Sequence, residues 1–328
     1  MWTNYLKIGL RNLIRDKISA LINIGGLAVG MAVALIIALW VEDEMSMNTN
    51  HENYPYLAQV MQSQSFNGEI QTFPDIPRPL RGVLENTYGQ YFKHLALASW
   101  PGNFILTYKE QFVSSTGNYI QEDFPEMISL EMIQGTRKGL KDPNSILLSA
   151  SLAQSLFGQE SPMGKTLKLG NRLSLRVTGI YADLPLKSRF HELKFIVPWK
   201  LYVKNNTWVQ NAITQWTNNS FQLFVQLQPE QDADLITKKI KDVINQNSQA
   251  KDNTASNLAL HPMSKWHLYS KFENGEIVGG RIEYVRLYTL IAIFVLFLAC
   301  INFINLYTAR SEKRAKEVGV RKVIGSTR

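Results

Sequence analysis

The sequence is poor in the residues that would build a disulfide framework or a metal site. It contains one cysteine, Cys300, so neither an internal disulfide nor a zinc site with paired thiolates can form. The five histidines show no metal-ligand spacing, no G-x-S-x-G nucleophile elbow occurs, and no Ser-His-Asp arrangement can be recognised. We therefore expect no catalytic, cofactor-binding or metal-binding residue in this chain.

Charge is also scarce, and its distribution indicates a membrane protein. Charged residues make up 19% of the chain, against roughly 25% in soluble domains. The deficit lies in two charge-free stretches, Ile18–Trp40 and Leu287–Tyr307. As helices they would be about 34 and 31 Å long, enough to cross a hydrocarbon core of about 30 Å. The first stretch is longer than a signal-peptide core and continues into acidic residues 42–44, so we interpret it as an uncleaved anchor.

The net charge of +8 lies on the outer flanks of these two stretches. Residues 1–17 carry +3 and residues 308–328 carry +5, whereas the residues between them balance at 24 basic and 24 acidic. Under the positive-inside rule, both termini are cytoplasmic and residues 42–286 lie on the other side of the membrane. Basic arms that bind nucleic acid are the alternative. We reject nucleic-acid binding because the basic segments adjoin apolar spans. The expected partner is therefore a lipid bilayer and not a nucleic acid.

The flanking segments contain two further patterns. Residues 1–17 separate aromatic and aliphatic residues from basic ones at helical spacing, which predicts an amphipathic helix on the inner leaflet. Small residues recur every four positions in the first span and predict close packing with another helix; they are Gly26, Gly30, Ala34 and Ala38. In the second span, Asn302 and Asn305 are expected to hydrogen-bond between helices, with contact to a transported solute as the alternative.

The segment between the spans alternates strand and helix patterns. Two β-α-β units are predicted, the first from segments 56–62, 76–88 and 95–100, and the second from segments 221–227, 232–247 and 257–261. The block between them, residues 103–217, contains strands and turns of its own. The predicted fold class is therefore α+β, with one subdomain (42–102 and 218–286) split by an inserted, mostly β subdomain (103–217).

One segment has a sequence similar to a phosphate-binding loop. Gly158 and the sequence Gly164-Lys165-Thr166 are separated by five residues, where a P-loop has four, and Pro162 removes a backbone donor. We reject nucleotide binding here and predict a loop between a helix and a strand.

Three runs of residues, taken in order, carry a family resemblance. They are Tyr5–Gly30, then Leu147–Lys165 with Val177–Ile180, and finally Arg314–Ser326. These runs resemble the N-terminus, the periplasmic core domain and the cytoplasmic segment after the second helix of MacB/FtsX-type ABC transporter permeases. The resemblance spans nearly the whole chain.

The resemblance implies a non-enzymatic permease subunit in the bacterial inner membrane. The split subdomain would correspond to the family's porter part and the insertion to its sabre part, with spans at 18–41 and 287–307. The partners implied are a cytoplasmic ABC ATPase subunit, which binds the ATP, a second permease subunit or a second copy of this chain, and a periplasmic adaptor. The segment Glu317–Ser326 would be the coupling helix on the ATPase, with Glu317, Gly319, Arg321, Lys322 and Gly325 as the residues that meet it. ATP hydrolysis would move the outer domain through the helices, a mechanism called mechanotransmission.

Members of that family continue with a third and a fourth helix, whereas this sequence stops at Arg328. We therefore expect a fragment or a shortened relative that does not form a working permease alone. The alternative is a two-helix receptor with an outer ligand-sensing domain, and a weaker one is an adhesion or scaffold domain. A receptor would continue into a regular signalling helix, whereas Gly319 and Gly325 are expected to interrupt this one. That difference favours the permease.

Overall fold

The computed structural model describes residue 11 and residues 17–248 and 256–325. The chain divides into two compact units, one containing two long apolar helices and the other formed by residues 46–281. Apart from Arg11 and Lys17, the predicted amphipathic helix at 1–17 lies outside the described residues. The mixed α and β composition predicted for the outer domain is confirmed.

The described residues contain nine α-helices and fifteen strands. The helices are α1 Lys17–Met45, α2 Leu80–Tyr88, α3 Phe124–Met127, α4 Ala150–Phe157, α5 Trp199–Asn205, α6 Thr207–Asn211, α7 Ala233–Ile240, α8 Val243–Asn247 and α9 Arg281–Val323. The strands are β1 Leu57–Phe66, β2 Glu69–Phe73, β3 Ile76–Pro77, β4 Phe92–Ala98, β5 Gly102–Tyr108, β6 Gln111–Ile120, β7 Met132–Gly135, β8 Ser145–Ser149, β9 Thr166–Leu169, β10 Leu173–Tyr181, β11 Phe195–Pro198, β12 Asn219–Leu227, β13 Ser256–Pro262, β14 Lys271–Glu273 and β15 Glu276–Gly279.

The two predicted β-α-β units interleave into one antiparallel sheet. Its strand order is β4-β12-β1-β13, so each unit has a strand of the other between its own two strands. This is the split β-α-β arrangement of ferredoxin-like folds. Helices α2, α7 and α8 cover one face, where Leu80, Phe221 and Ile240 are fully buried in a common core. The open edge of β13 is protected because its Leu258 amide donates to Lys241 O at 2.9 Å.

Residues 102–198 form a closed six-stranded barrel, whereas α5 and α6, which follow it, contribute Trp199 and Val209 to the core of the split sheet. The ladder runs β11-β8-β10-β9-β5-β6, and β6 pairs in parallel with β11 to close it. Residues such as Leu106, Leu148 and Phe195 fill the interior. A side chain at Gly117 on β6 would collide with this interior, because its Cβ would lie 2.2 Å from ring carbons of Phe195. Barrel closure leaves these strands no free edges.

A single ladder pair, Ala98 with Ile120, connects the split sheet to the barrel. Two backbone bonds extend it, from Ser99 N to Tyr119 O at 2.9 Å and from Gln121 N to Leu97 O at 3.0 Å. A third core lies where the two parts meet and includes Phe124, Tyr181 and Trp266. Sheet and barrel therefore share one continuous hydrogen-bonded framework.

Two predicted helices are shorter than expected. The segment 76–88 begins as the strand β3, and α2 starts only after the prolines at 77 and 79, which disfavour helix in the residues before them. The segment 232–247 divides into α7 and α8, because Lys241 O accepts the amide of Leu258 in β13.

Candidate functional site: the paired apolar helices

The two long helices have the length and composition of membrane spans. Residues Ala20–Met45 of α1 and Arg281–Thr308 of α9 reach mean hydropathies of 2.5 and 2.6 in their most apolar windows. Large apolar side chains such as Leu35 and Phe297 are exposed, at 64% and 59%. Such a surface is stable against lipid chains and would be unfavourable in water.

The helices pack side by side in opposite directions. Gly26 lies beside Asn302 and Gly30 beside Ala299, while the Trp40 and Tyr288 rings meet edge to face at 5.0 Å between centroids. Residue numbers increase along α1 and decrease along the facing positions of α9, so the two helices are antiparallel.

The contact follows alternating steps of three and four residues. The residues of lowered exposure that keep these steps are Ala20, Asn23, Leu27, Gly30, Ala34 and Ile37 on α1, and Ala292, Val295, Ala299, Asn302 and Leu306 on α9. This spacing averages 3.5 residues and keeps one stripe of each helix facing the other. We refer to these residues together as the seam. Outside the seam, Gly25, Trp40 and Val41 are half-buried and Glu44 and Val285 are buried.

At the centre of the seam, the helix backbones come too close to admit a side chain. A Cβ built on Gly30 would lie 2.7 Å from the Cβ of Ala299 and 3.7 Å from Val295 O. At Gly26, the nearest atom is the amide nitrogen of Asn302, 3.0 Å from such a Cβ. Ala34 continues the seam and is half-buried. The structure thus brings Gly26, itself exposed, beside Asn302 and Gly30 beside Ala299, and small residues allow this approach.

Two residues singled out from the sequence lie off the seam. Ala38 and Asn305 are exposed. An α-helix advances 100° per residue, so a stripe of residues four apart rotates about 40° at each step and leaves the contact within a few turns. Asn23 does lie on the seam, although the four-residue pattern does not include it; its Oδ1 is buried and accepts no hydrogen bond in the described part of the chain. The sequence feature that could have indicated Asn23 is its position three residues after Ala20 and four residues before Leu27.

The second helix continues well beyond its apolar part. α9 has 43 residues and runs without a break to Val323, so residues 309–323 extend about 22 Å past the span. The expectation that Gly319 interrupts this segment is wrong, because the glycine lies inside regular helix with open space around it. Gly325 does follow the helix end, with a φ of +78° that favours glycine. The predicted coupling residues Glu317, Gly319, Arg321 and Lys322 all lie on the helical extension.

The segment resembling a P-loop is a loop between α4 and β9, as predicted. Its Lys165 is paired with Glu160, which Lys109 Nζ also contacts at 2.6 Å. Hydrogen bonds from Lys109, Lys165 and Tyr108 lower the pKa of Glu160 to about 2. Within residues 17–248 and 256–325, no group of three His, Cys, Asp or Glu side chains could hold a metal ion.

Two other groups in the outer domain have displaced pKa values. Burial acts to raise the pKa of Asp183, but hydrogen bonds from Lys194 and Ser151 outweigh it and lower this pKa to about 2. Burial lowers the pKa of His261 to about 4, helped by the charges of Lys265 and Arg189. Among the described residues, neither group belongs to a cluster of three His, Cys, Asp or Glu side chains that could hold a metal ion.

Comparisons with known proteins agree with this architecture. Residues 20–243 match the family described as MacB-like periplasmic core domain. A crystal structure of a domain assigned to a permease from Porphyromonas gingivalis aligns with a TM-score of 0.55 at 16% identity, covering 65% of this chain and 92% of that one. This similarity shows a shared fold.

Two further structures align with lower scores. The periplasmic region of MacB from Actinobacillus actinomycetemcomitans gives a TM-score of 0.47 at 14% identity, covering 65% of this chain and 91% of that one. The extracellular domain of the ABC-type transporter YknZ from Gram-positive bacteria gives 0.44 at 18% identity, covering 62% and 98%. No curated protein sequence matches the chain significantly.

Proposed function

The chain belongs to the MacB-like periplasmic core domain family, and from this membership we propose that it is the permease subunit of a MacB/FtsX-type ABC transporter. In this proposal the chain has no catalytic role of its own. A cytoplasmic ATPase subunit binds and hydrolyses ATP, and the paired helices carry the resulting displacement to the outer domain. The function would be mechanotransmission for export, efflux or another envelope process.

The unbroken helix α9 is the observation that carries the proposal. It joins the outer domain to a basic extension through a single 43-residue helix about 64 Å long. A continuous helix transmits an axial or tilting displacement along its length, since its internal hydrogen bonds resist local deformation. A partner bound to the extension could therefore move the far end.

The proposed location is the bacterial inner membrane, with both termini in the cytoplasm. Its support is the excess of basic residues on the outer flanks of the two helices. Single cysteines at Leu186 and Lys322, introduced in a Cys300→Ala background, test this orientation with a membrane-impermeant maleimide on spheroplasts. Both positions are exposed. We expect labelling at 186 only, and labelling at 322 only would overturn the proposed orientation.

The proposed docking surface for the ATPase is the segment Glu317–Ser326. The double variant Glu317→Arg and Gly319→Trp reverses one charge and adds bulk where a Cβ meets open space, so the helix pair itself should be unaffected. The matched control is Glu312→Arg with Ala315→Trp, which makes the same changes earlier on the same helix, at exposed positions.

The measurement is co-purification of the tagged chain with its ATPase, followed by the hydrolysis rate. We expect the double variant to lose the ATPase and the control to retain it. Equal retention by both variants would refute the coupling assignment. The same purification shows whether a second permease subunit, a second copy of the chain or a periplasmic adaptor is bound; we propose residues 103–217 as the adaptor's docking region.

The two-helix receptor is the competing function, and one reason against it does not hold. The helical segment after the second span is not interrupted at Gly319, so a signalling helix is sterically possible. Membership of a permease family is the reason to prefer the transporter. The ATPase experiment separates the two, since a receptor has no need of an ATPase at residues 317–326.

A further inference from the structure

The eight residues that follow α1 are held tightly against the outer domain. This segment, residues 46–53, directly follows Met45, the last residue of the helix, and we call it the strap. Its Asn48 and His51 side chains are almost fully buried, at 1% and 3% exposure. A passive linker between a membrane helix and a domain would be solvated and would make few long-range bonds.

The first anchor of the strap is the loop between β10 and β11. Asn48 N donates to Lys187 O at 2.6 Å, and Arg189 N donates to Asn48 Oδ1 at 2.7 Å. Lys187 Nζ donates to Ser46 Oγ at 2.8 Å. Asn48 has a φ of +65°, a conformation that asparagine adopts more readily than most residues. This turn aligns the Asn48 backbone and side chain with the same loop.

The second anchor is the end of α3. His51 Nδ1 lies 2.8 Å from Ile128 O. The side-chain amide of Asn53 donates to Met127 O at 3.0 Å and to Ser129 Oγ at 3.0 Å. These partners are more than 70 residues away along the chain.

The imidazole of His51 connects the two anchors. Because Ile128 O can only accept, Nδ1 donates to it, and Nε2 then accepts from the Ser188 hydroxyl at 2.9 Å. The same hydroxyl oxygen accepts the amide of Phe190 at 3.1 Å. Ser188 is fully buried, and burial lowers the pKa of His51, so the neutral ring is favoured. Both ring nitrogens and the hydroxyl are thus satisfied.

Both anchors continue into the strands that close the barrel. The loop leads through Lys194, whose amide donates to Thr116 O at 2.9 Å, into β11. α3 follows β6 after three residues, and β6 and β11 are paired in parallel. A pull on the strap is therefore applied to neighbouring strands of the barrel.

We propose that the strap is the mechanical attachment through which movement of α1 reaches the barrel, with Asn48, His51 and Asn53 as the residues that hold it. This inference deepens the proposed function and rests on it. The bonds of the strap act in parallel, so the attachment should withstand force better than any one of them. The strap should stay closed until the domain itself unfolds.

Single-molecule pulling of the full chain in detergent tests this directly. Handles are attached through Met45→Cys and Ser155→Cys in a Cys300→Ala background, so that force enters at the end of α1 and leaves at the barrel helix α4. Release of residues 46–56 would lengthen the tether by roughly 3 nm. We expect no such step in the parent chain below the force that unfolds the barrel.

The test variant combines three substitutions. Asn48→Gly keeps the positive φ accessible, His51→Phe keeps an aromatic ring beside Phe190, and Asn53→Ala removes the amide that donates to Met127 O and Ser129 Oγ. We expect it to show an early step of about 3 nm. Thr49→Ala is the matched control. Thr49 Oγ1 donates to Ser46 O at 2.7 Å, a bond within the strap itself, so this variant should behave as the parent chain. Hydrogen exchange in the β5–β6 hairpin verifies that the barrel is folded. If the barrel of the test variant is not folded, Asn48→Gly with Asn53→Ala, which keeps the buried His51, is used instead.

An early step in the parent chain, or no early step in the variant, would overturn the inference. The pulling assay contains no ATPase, so its outcome is independent of the docking experiment. Failure of ATPase docking would remove the proposed function and leave the pulling result unchanged.

Discussion

Gly30 is the position at which the helix pair should be most sensitive to substitution. An alanine Cβ there would lie 2.7 Å from the Cβ of Ala299, whereas carbon atoms in contact lie about 3.5–4.0 Å apart. The helices would have to separate by about 1 Å for Gly30→Ala and by on the order of 3 Å for Gly30→Leu. Overpacking of this kind costs about 1–3 kcal/mol, which weakens helix pairing by about 5- to 150-fold.

Gly25 is the matched control for this prediction. It lies on the same helix, and a Cβ there meets nothing within 4 Å. Gly25→Leu should therefore change the apolar surface and the helix propensity as Gly30→Leu does, without wedging the helices apart.

The assay measures the distance between the helices in lipid nanodiscs. Spin labels at Leu35→Cys and Phe297→Cys, in a Cys300→Ala background, occupy exposed positions on α1 and α9. We expect Gly30→Leu to lengthen the mean label distance and to lower the concentration of sodium dodecyl sulfate that separates the helices. If Gly30→Leu leaves both unchanged, or if Gly25→Leu changes them equally, the proposed close approach at the seam is wrong.

The outer domain allows three further predictions. Gly117→Ala should destabilise the barrel by about 1–3 kcal/mol in urea unfolding, because its Cβ would meet the Phe195 ring, whereas Gly89→Ala, with open space around it, should not. The pKa of Asp183 is lower in the folded protein than in the unfolded chain, so the stability that Asp183 contributes is present above pH 4 and is lost as the pH falls towards 2. The stability of Asp183→Asn, measured by unfolding, should lack this part of the pH dependence. The pKa of His261 is also lowered, so stability should fall as the pH drops from about 6.5 to about 4, and His261→Phe should flatten that slope.

Much of the fold could be predicted from local patterns. The strand and helix periods of the two β-α-β units are visible in the sequence, and the apolar spans are visible in its composition. Their interleaving was not, because the order β4-β12-β1-β13 depends on pairings between segments more than 100 residues apart. Barrel closure is similar: nothing local to β11 indicates that it pairs with β6.

The seam and the strap differ in how much the sequence could reveal. Small residues in the first span indicated a helix contact, but regular four-residue spacing led to Ala38, which is exposed. In the strap, His51 was set aside because the histidines lack metal spacing. Its two hydrogen-bond partners, Ile128 and Ser188, lie 77 and 137 positions away, so only the folded chain shows what the ring connects.

The seam and the strap are consecutive parts of one path under the proposed function. A displacement of the α9 extension must either bend that helix or move its partner, and the contact at Gly30 leaves no gap in which the two could slide freely. Interdigitated helices move between discrete arrangements rather than continuously. α1 would then follow α9, and the hydrogen bonds that begin at Ser46 would pass the motion to the barrel strands. A gap opened at residue 30 should therefore uncouple the barrel from the ATPase as effectively as loss of the strap, although the two sites share no residue.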